Sequence, residues 1–491
     1  MNLSDAMNIA QSSLASNAAQ ILILSRNIAG ANNPNYSRKI ALVTTSDNGA
    51  SQVVSVGQAT DQALFTSMLN ASSDAAAATA LSSGLDQLQQ TVNDTQTATS
   101  PSALIGNLSN ALQQYATSPS DTALAQEVLT AAQSLASGLN SASVTVQQVR
   151  EQADAGMAAS VNKINSLLSQ FQTVNNTIVS GTQAGSDVTD AVDTRNSILT
   201  QLSQQIGIKT ATGSNNSVSI YTDGGVTLFD NVPMSVTFQP TTAYTASTAG
   251  NSVYVDGVPI TNSSSTMGLQ SGTLAGLANL RDNVAVTYQN KLDETARGLI
   301  DNFAESDQSN PATLPTAPGL FTYPGAPAMP ANNVNPGLAG AIEVNPNGDP
   351  GQGGSLSLLR NGGIADPTEA GYDYNPTGAA SYSGRVQQLI GNLTQTMSFD
   401  PSAGPDTSDS VTGFAASSVS WLEVAYQNAT NQSTYQTTLA SQTSQSLSSE
   451  TGVNLDNQMS QMLDLESSYQ ASSKLISTID NVFNTLFQVT A

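Results

Sequence analysis

The chain has 491 residues and contains neither cysteine nor histidine. Without cysteine there is no disulfide, no thiol nucleophile and no thiolate metal site. Without histidine the commonest general base and the commonest metal ligand are missing, and a serine triad of the usual kind cannot be built. Charge is also scarce, at 10% of residues. Thirteen cations stand against 36 acids, a net −23 at pH 7 with a pI near 4.1. Nucleic acid and anionic membrane surfaces both require clustered cations, so neither is expected as a partner. No apolar run approaches the roughly 18 residues that span a bilayer, so no membrane insertion is expected. Met1-Asn2-Leu3-Ser4-Asp5-Ala6-Met7 has no cationic start, long apolar stretch or cleavage site, so no cleaved signal peptide is expected. The absences argue against an enzyme, and neither a cofactor nor a metal is expected.

What the chain does have is apolar content, 39%, enough for folded cores. Its length suggests roughly three domains. The first 30 residues carry a helical stripe: Leu3, Met7, Ala10, Leu14, Asn17, Ile21, Leu24 and Ile28 alternate at spacings of four and three. That is a heptad repeat with one polar position. Gly30-Ala31-Asn32-Asn33-Pro34-Asn35 ends it. Short extended stretches follow at 40–45 and 53–56. The last 40 residues mirror the first. Leu455, Gln458, Met462, Leu465, Tyr469, Ser472, Ile476, Ile479, Phe483 and Leu486 keep the same alternation, with Asn454 placed to cap the helix. Termini usually fray. Stripes at both extremes therefore point to packing against each other or against neighbouring copies. The assembly interface is expected at Leu3, Met7, Leu14, Ile21, Leu24, Ile28, Met462, Leu465, Tyr469, Ile476, Ile479, Phe483 and Leu486.

The middle is mostly helical. Helices fit 61–98, 102–116 and 121–153, then Met157–Ile178, Val192–Ile206 and Gly272–Phe303. From 208 to 266 the period becomes two, with Asp223-Gly224-Gly225 and Asp256-Gly257 at hairpin turns. Residues 306–380 hold 11 of the 19 prolines and read as a surface insertion rather than a core. The fold class expected is mainly α with inserted β. Heptad helices at both ends form a coiled-coil or bundle base, and a small β-rich outer domain is inserted mid-chain. The divisions are 1–60 (axial helix and linker), 61–207 (helical bundle), 208–266 (β-rich domain), 267–305 (returning helix), 306–384 (variable outer insertion), 385–450 (bundle) and 451–491 (axial helix). Residues 1–40 set Arg26, Arg38 and Lys39 against Asp5 alone, so the acidic excess lies elsewhere.

Candidate chemistry does not hold up. Gly351-Gln352-Gly353-Gly354 lacks the Lys-Ser/Thr of a phosphate loop. Asp223 and Asp256 stand alone at turns, without the recurring acids of a calcium loop. Asp301, Glu305 and Asp307 read as solvated surface rather than a carboxylate pair. The lone Trp421 reads as packing.

Asn27-Ile28-Ala29-Gly30-Ala31-Asn32-Asn33-Pro34-Asn35-Tyr36-Ser37-Arg38 resembles the motif shared by axial proteins of the bacterial flagellum. The departures are Arg26 and Gly30, where that family usually has Asn. Gly452-Val453-Asn454-Leu455-Asp456 and Ser468-Tyr469-Gln470-Ala471-Ser472-Ser473-Lys474-Leu475-Ile476 are similar to its C-terminal pattern, in the form found in hook-associated members. The 118–121, 161–174, 190–196 and 271–282 segments agree. The family motif falls on Asn27, Asn32, Pro34, Tyr36, Arg38, Val453, Leu455, Gln470, Ala471 and Lys474. The resemblance covers about 1–300 and 385–491. It implies a structural subunit of the extracellular flagellum at the hook–filament junction, which self-assembles through its terminal helices. The implied partners are other copies in a ring or short tube, the hook protein, a second hook–filament junction protein, an export chaperone at the C-terminal helix, and the type III export apparatus. An alternative is a hook or distal rod protein, which the α-rich stretch 61–206 opposes. A secreted hydrolase or adhesin using 208–380 is opposed by the missing catalytic inventory.

Overall fold

A computed structural model describes residues 3–46, 49–92, 98–261, 265–325 and 328–490. The chain starts with α1 (Leu3–Gly30), then a hairpin of β1 (Lys39–Thr45) and β2 (Ser51–Gln58). Next come α2 (Gln62–Gln89), α3 (Pro101–Thr117), α4 (Thr122–Gln183) and α5 (Thr189–Gln205). Strands β3 (Ile208–Thr212), β4 (Val218–Thr222), β5 (Thr227–Asp230) and β6 (Val232–Pro233) form an antiparallel sheet in that order. A smaller antiparallel sheet holds β7 (Val236–Thr237), β8 (Tyr254–Val255) and β9 (Val258–Pro259). The helices resume with α6 (Thr273–Asn279), a π turn (Leu280–Val284) and α7 (Ala285–Asn302). Short pieces follow: β10 (Phe321–Thr322), α8 (Leu338–Ala341), β11 (Glu343–Val344), α9 (Leu358–Asn361), α10 (Gly384–Asn392), β12 (Met397–Ser398) and β13 (Ser408–Asp409). The long helices α11 (Val411–Thr451) and α12 (Leu455–Thr490) close the chain. The architecture is mainly α with inserted β, with long helices at both ends. Among the described residues no helix is long and apolar enough to cross a membrane.

The two helices expected at 121–153 and 157–178 are one helix, α4. Its 62 residues span about 90 Å. The chain has no proline between Pro119 and Pro233, and Asp121 caps the start by accepting from the Ala123 amide at 2.8 Å. The expected break holds a close contact instead. At Gly156 a Cβ would lie 2.9 Å from Leu277 Cδ1, so α4 lets α6 approach there. The helix expected at 61–98 ends earlier, at Gln89, and its last expected residues lie largely outside the described ones.

α4 threads two apolar cores. Its first half packs with α3, α7 and the start of α11, burying residues such as Leu129, Leu135, Tyr115 and Leu299. Its second half packs with α5, α6 and both β-sheets, around Phe171, Leu202, Ile220 and Phe229.

Residues 306–384 differ from expectation. Leu320, Phe321, Leu338, Ile342, Leu359 and Ile364 are buried in the same core as α3, α4 and α7. The segment is part of the body, not a surface appendage. Its apolar residues show no period because prolines and glycines divide it into turns. Buried carboxylates of α7 and its end hold these turns. Asp293 accepts from the Gly337 and Ala339 amides at 2.9 and 2.8 Å. Glu294 does the same for a later turn, accepting from the Asp400 amide at 2.8 Å. Glu305 accepts from the Gly363 and Ala365 amides at 3.1 and 2.8 Å. The expected solvated cluster is therefore wrong for Glu305, which is 1% exposed. Asp307 caps a loop through the amides of Ser309, Thr313 and Leu314.

Candidate assembly interface

α1 and α12 pack against each other. Ser13 bonds to Ser472, Asn17 donates to Ser468, and Asn27 donates to Gln458. Each step forward along α1 is matched by an equal step back along α12. The pair is therefore antiparallel and without a register slip.

The heptad stripes meet inside this pair. Leu24 and Ile479 are buried, while Leu3, Met7, Leu14, Ile21, Ile28, Met462, Leu465, Ile476 and Phe483 are half-buried. Tyr469 and Leu486 stay exposed at 39% and 57%. The stripe is therefore occupied within the chain. A heptad pattern specifies an apolar face but not whose face covers it. Other apolar side chains point outward: Leu22, Met459, Leu463, Leu475 and Val482 are each more than 40% exposed. On α12 they sit beside or opposite the stripe, so periodicity alone did not single them out.

The N-terminal motif forms a node around Asn27, which is fully buried. Its Nδ2 donates to the Lys39 carbonyl at 2.9 Å and to Gln458 Oε1 at 2.7 Å. Its Oδ1 accepts from the Lys39 amide at 2.8 Å and from the Tyr36 hydroxyl at 3.0 Å. One side chain thus ties α1, the following turn, β1 and α12 together. The Tyr36 ring covers Gly30, where a Cβ would lie 2.7 Å from it. Burial pushes the Tyr36 hydroxyl up to about 12, so it stays a donor at neutral pH. The Arg38 amide donates to the Thr451 carbonyl at 2.8 Å, joining the node to the end of α11. Asn454 caps α12 by accepting from the Asn457 amide at 3.1 Å. The rest of the expected motif lies outside the node. Asn32, Pro34, Leu455, Gln470, Ala471 and Lys474 are exposed, and Val453 is half-buried.

The node also meets the body through charge. Arg26 pairs with Asp187 at 2.7 Å and Asp190 at 2.9 Å. Lys39, whose side chain is fully buried, pairs with Asp193 and lies 3.5 Å from Asp190. Its Nζ also donates to the Thr189 carbonyl at 3.0 Å. The acids lie at the N-terminal end of α5, where the helix dipole favours negative charge. Burial raises the Asp187 carboxyl, but hydrogen bonds from Arg26 and Thr189 outweigh it and hold the group below its ordinary value. Burial pushes Asp193 up, against the opposing bond from Lys39. Residue-level reading missed Lys39, Gln458, Thr451 and these three acids as contributors. A legible signal existed: Asp187, Asp190 and Asp193 recur every three residues, the last two about one turn apart on α5 and Asp187 just before it.

Comparison with known proteins points the same way. Residues 85–311 match the family described as Flagellar hook-associated protein FlgK helical domain. Residues 444–489 match Flagellar basal body rod FlgEFG protein C-terminal. Together the two matches span over half of the chain. No curated protein sequence gives a significant match. Among solved structures, the chain is similar in fold to the flagellar hook junction protein FlgK from Burkholderia pseudomallei. That likeness has a TM-score of 0.56 at 14% identity, covering 78% of this chain and 99% of the other.

Proposed function

Because this chain is a flagellar hook-associated protein of the FlgK type, with a structural role at the hook–filament junction, we propose that identical copies assemble there through their terminal helix pairs. The protein acts by assembly rather than by catalysis. Copies form a ring or short tube, with the hook protein on one side and the second hook–filament junction protein on the other. Before assembly, an export chaperone covers α12, and the type III export apparatus carries the chain out.

One observation carries this reading. The α1–α12 pair leaves Leu22, Met459, Leu463, Leu475, Val482 and Leu486 exposed. Large apolar side chains left outward along one helix pair are what a contact with neighbours uses. The heptad residues Leu3 through Ile28 and Met462 through Phe483, except the exposed Tyr469, then serve to form the pair, and the outward residues join one pair to the next.

The test is deletion of residues 455–491. A truncated chain that still enters the flagellum and supports filament growth would refute assembly through α12. Leu463→Asp with Leu486→Asp separates the two roles: helix content is retained and incorporation is lost. Immunolabelled electron microscopy distinguishes the alternative, since a hook or rod protein labels along its length rather than in a narrow band at the hook tip.

A further inference from the structure

A cleft of about 900 Å³ lies between the helical body and the β insertion. α2 gives one wall, through Asp74, Ala77, Ala78 and Leu81. α6 and the π turn give another, and the loop residues 246–250 a third. Gln432 and Gln436, about one turn apart on α11, complete it. Between the walls the chemistry is divided. Small apolar side chains such as Ala77, Ala78 and Ala275 leave room for a chain to approach. Five side-chain amides stand beside them, from Gln270, Asn279, Asn283, Gln432 and Gln436. Each amide offers donors and an acceptor together, which is what a peptide backbone pairs with. No aromatic ring occurs among the described lining residues, so a nucleobase has nothing to stack on.

Charge narrows the choice further. Arg150 is the one cation of the described lining, and its guanidinium is spent on Gln147 and on the carbonyls of Arg281, Thr245 and Thr248. Asp282 is paired with Arg281 at 2.8 Å. Asp74 is exposed, and no ion pair among the described residues includes it. Burial and the charge of Asp223 hold its carboxyl above the ordinary value. Lys209 reaches only the main-chain carbonyl of Asp223. Two side-chain oxygens here are buried without a donor, Gln436 Oε1 and, beside Gln270, Asp223 Oδ1. An oxygen with no partner turns toward a ligand without breaking a bond. The cleft therefore has acceptors in excess and no free cation, and a ligand that fits it supplies N–H donors and positive charge.

We infer that this cleft is a docking site for an extended peptide segment of a neighbouring subunit, one that carries a lysine or arginine side chain. The basic side chain pairs with Asp74. The backbone of the segment bonds to the glutamine and asparagine side chains, and its apolar stems lie on the alanines. A volume of about 900 Å³ is at the upper end of ligand pockets, room for a few residues of chain. The site is built on α2, α6, α11 and the β insertion, and needs neither terminal helix. It stands or falls independently of assembly through α12.

The test titrates the full chain against fluorescent, end-blocked pentapeptides, one alternating alanine with lysine and one alternating alanine with glutamate. The salt is about 0.15 M, where exposed charges beyond about 8 Å are screened. The lysine peptide binds about tenfold more tightly than the glutamate peptide. Asp74→Asn weakens its binding about threefold, the scale of one exposed ion pair. Gln432→Ala with Gln436→Ala weakens it about tenfold, the scale of two hydrogen bonds. Asp86→Asn removes the same charge from α2 outside the cleft and leaves binding unchanged. All four side chains are exposed or half-buried, so the variants keep the fold and the Tm. The chain has no cysteine of its own, so a dye on Asn283→Cys reports from the cleft and one on Glu127→Cys from elsewhere on the body. Only the first responds to the lysine peptide. Spermidine at equal ammonium concentration displaces that peptide poorly, because it lacks a backbone. The docking site is overturned if the two peptides bind alike, if Asp74→Asn or the glutamine pair leaves binding unchanged, or if Asp86→Asn weakens it as much as Asp74→Asn. It is equally overturned if the Asn283 dye stays silent, or if spermidine competes as well as the unlabelled peptide, since charge alone would then account for the binding.

Discussion

Replacing Asn27 by alanine tests the node most directly. The side chain makes four hydrogen bonds, and its loss strands the amide and carbonyl of Lys39, Gln458 Oε1 and the Tyr36 hydroxyl. Lys39 and Gln458 are each 2% exposed, so water cannot reach these groups without local opening. A buried polar group without a partner costs about 1–3 kcal/mol. Counting only the two backbone groups of Lys39, the variant loses about 3 kcal/mol of local stability. That corresponds to about a hundredfold faster opening-limited exchange at the Lys39 amide. Native-state hydrogen exchange resolved to single amides is the assay, read at Lys39 and at a body residue such as Ile164. Exchange at Ile164 stays unchanged because that residue lies in a core the terminal module does not share. Gln458→Ala removes only one of the four bonds and costs about 1 kcal/mol. If Asn27→Ala leaves Lys39 protected to within threefold of the unaltered chain, the hub argument is wrong.

Three other perturbations have defined signs. Burial holds Asp293 up at about 6 despite three donors. Its folded value lies above the unfolded one, so the fold binds the proton more tightly and stability rises as pH falls from about 6 toward 4. Against Asp293→Asn, the unaltered chain gains up to about 3 kcal/mol over that window in denaturant melts; a constant difference would refute the assignment. At Gly276 a Cβ would lie 2.3 Å from the Ala77 carbonyl oxygen. Gly276→Ala therefore forces α6 from α2 and lowers Tm, costing about 2 kcal/mol although alanine favours helix. Gly30→Ala drives a methyl into the Tyr36 ring and costs about 1–3 kcal/mol at the node, read as faster exchange at Lys39.

Periodicity made the long helices legible. The stripes from Leu3 to Ile28 and from Leu455 to Leu486 each repeat an apolar spacing that only a helix presents on one face. The alternation from Val218 to Val255 marked the β insertion for the same reason. Segments whose structure rests on non-local polar contacts were not legible. The prolines between 311 and 376 suggested an appendage because nothing local reveals that Asp293 and Glu305 are buried acceptors for amides of that segment. Likewise, the stripes revealed that α1 and α12 each need a partner, but not that they are each other's. The resemblance motif located Asn27 and Tyr36. It did not say that Gln458, more than 400 residues away, completes the ring of hydrogen bonds.

The antiparallel match of α1 with α12 also dictates an order of events in folding. Asn27 and Gln458 are separated by 431 positions. Closing so long a loop in an unfolded chain costs about 5 kcal/mol in entropy alone. Neither stripe can recover that before the body has condensed, because each helix is marginal by itself in water. The body closes comparable loops of its own, since α2 meets α11 across 334 to 354 positions, but its apolar cores repay that cost, and once formed they carry Arg38 and Thr451 toward each other. Only then does α1 find its mate in α12. The α1–α12 pair is thus a closure that depends on the body, while the body's apolar cores do not depend on it.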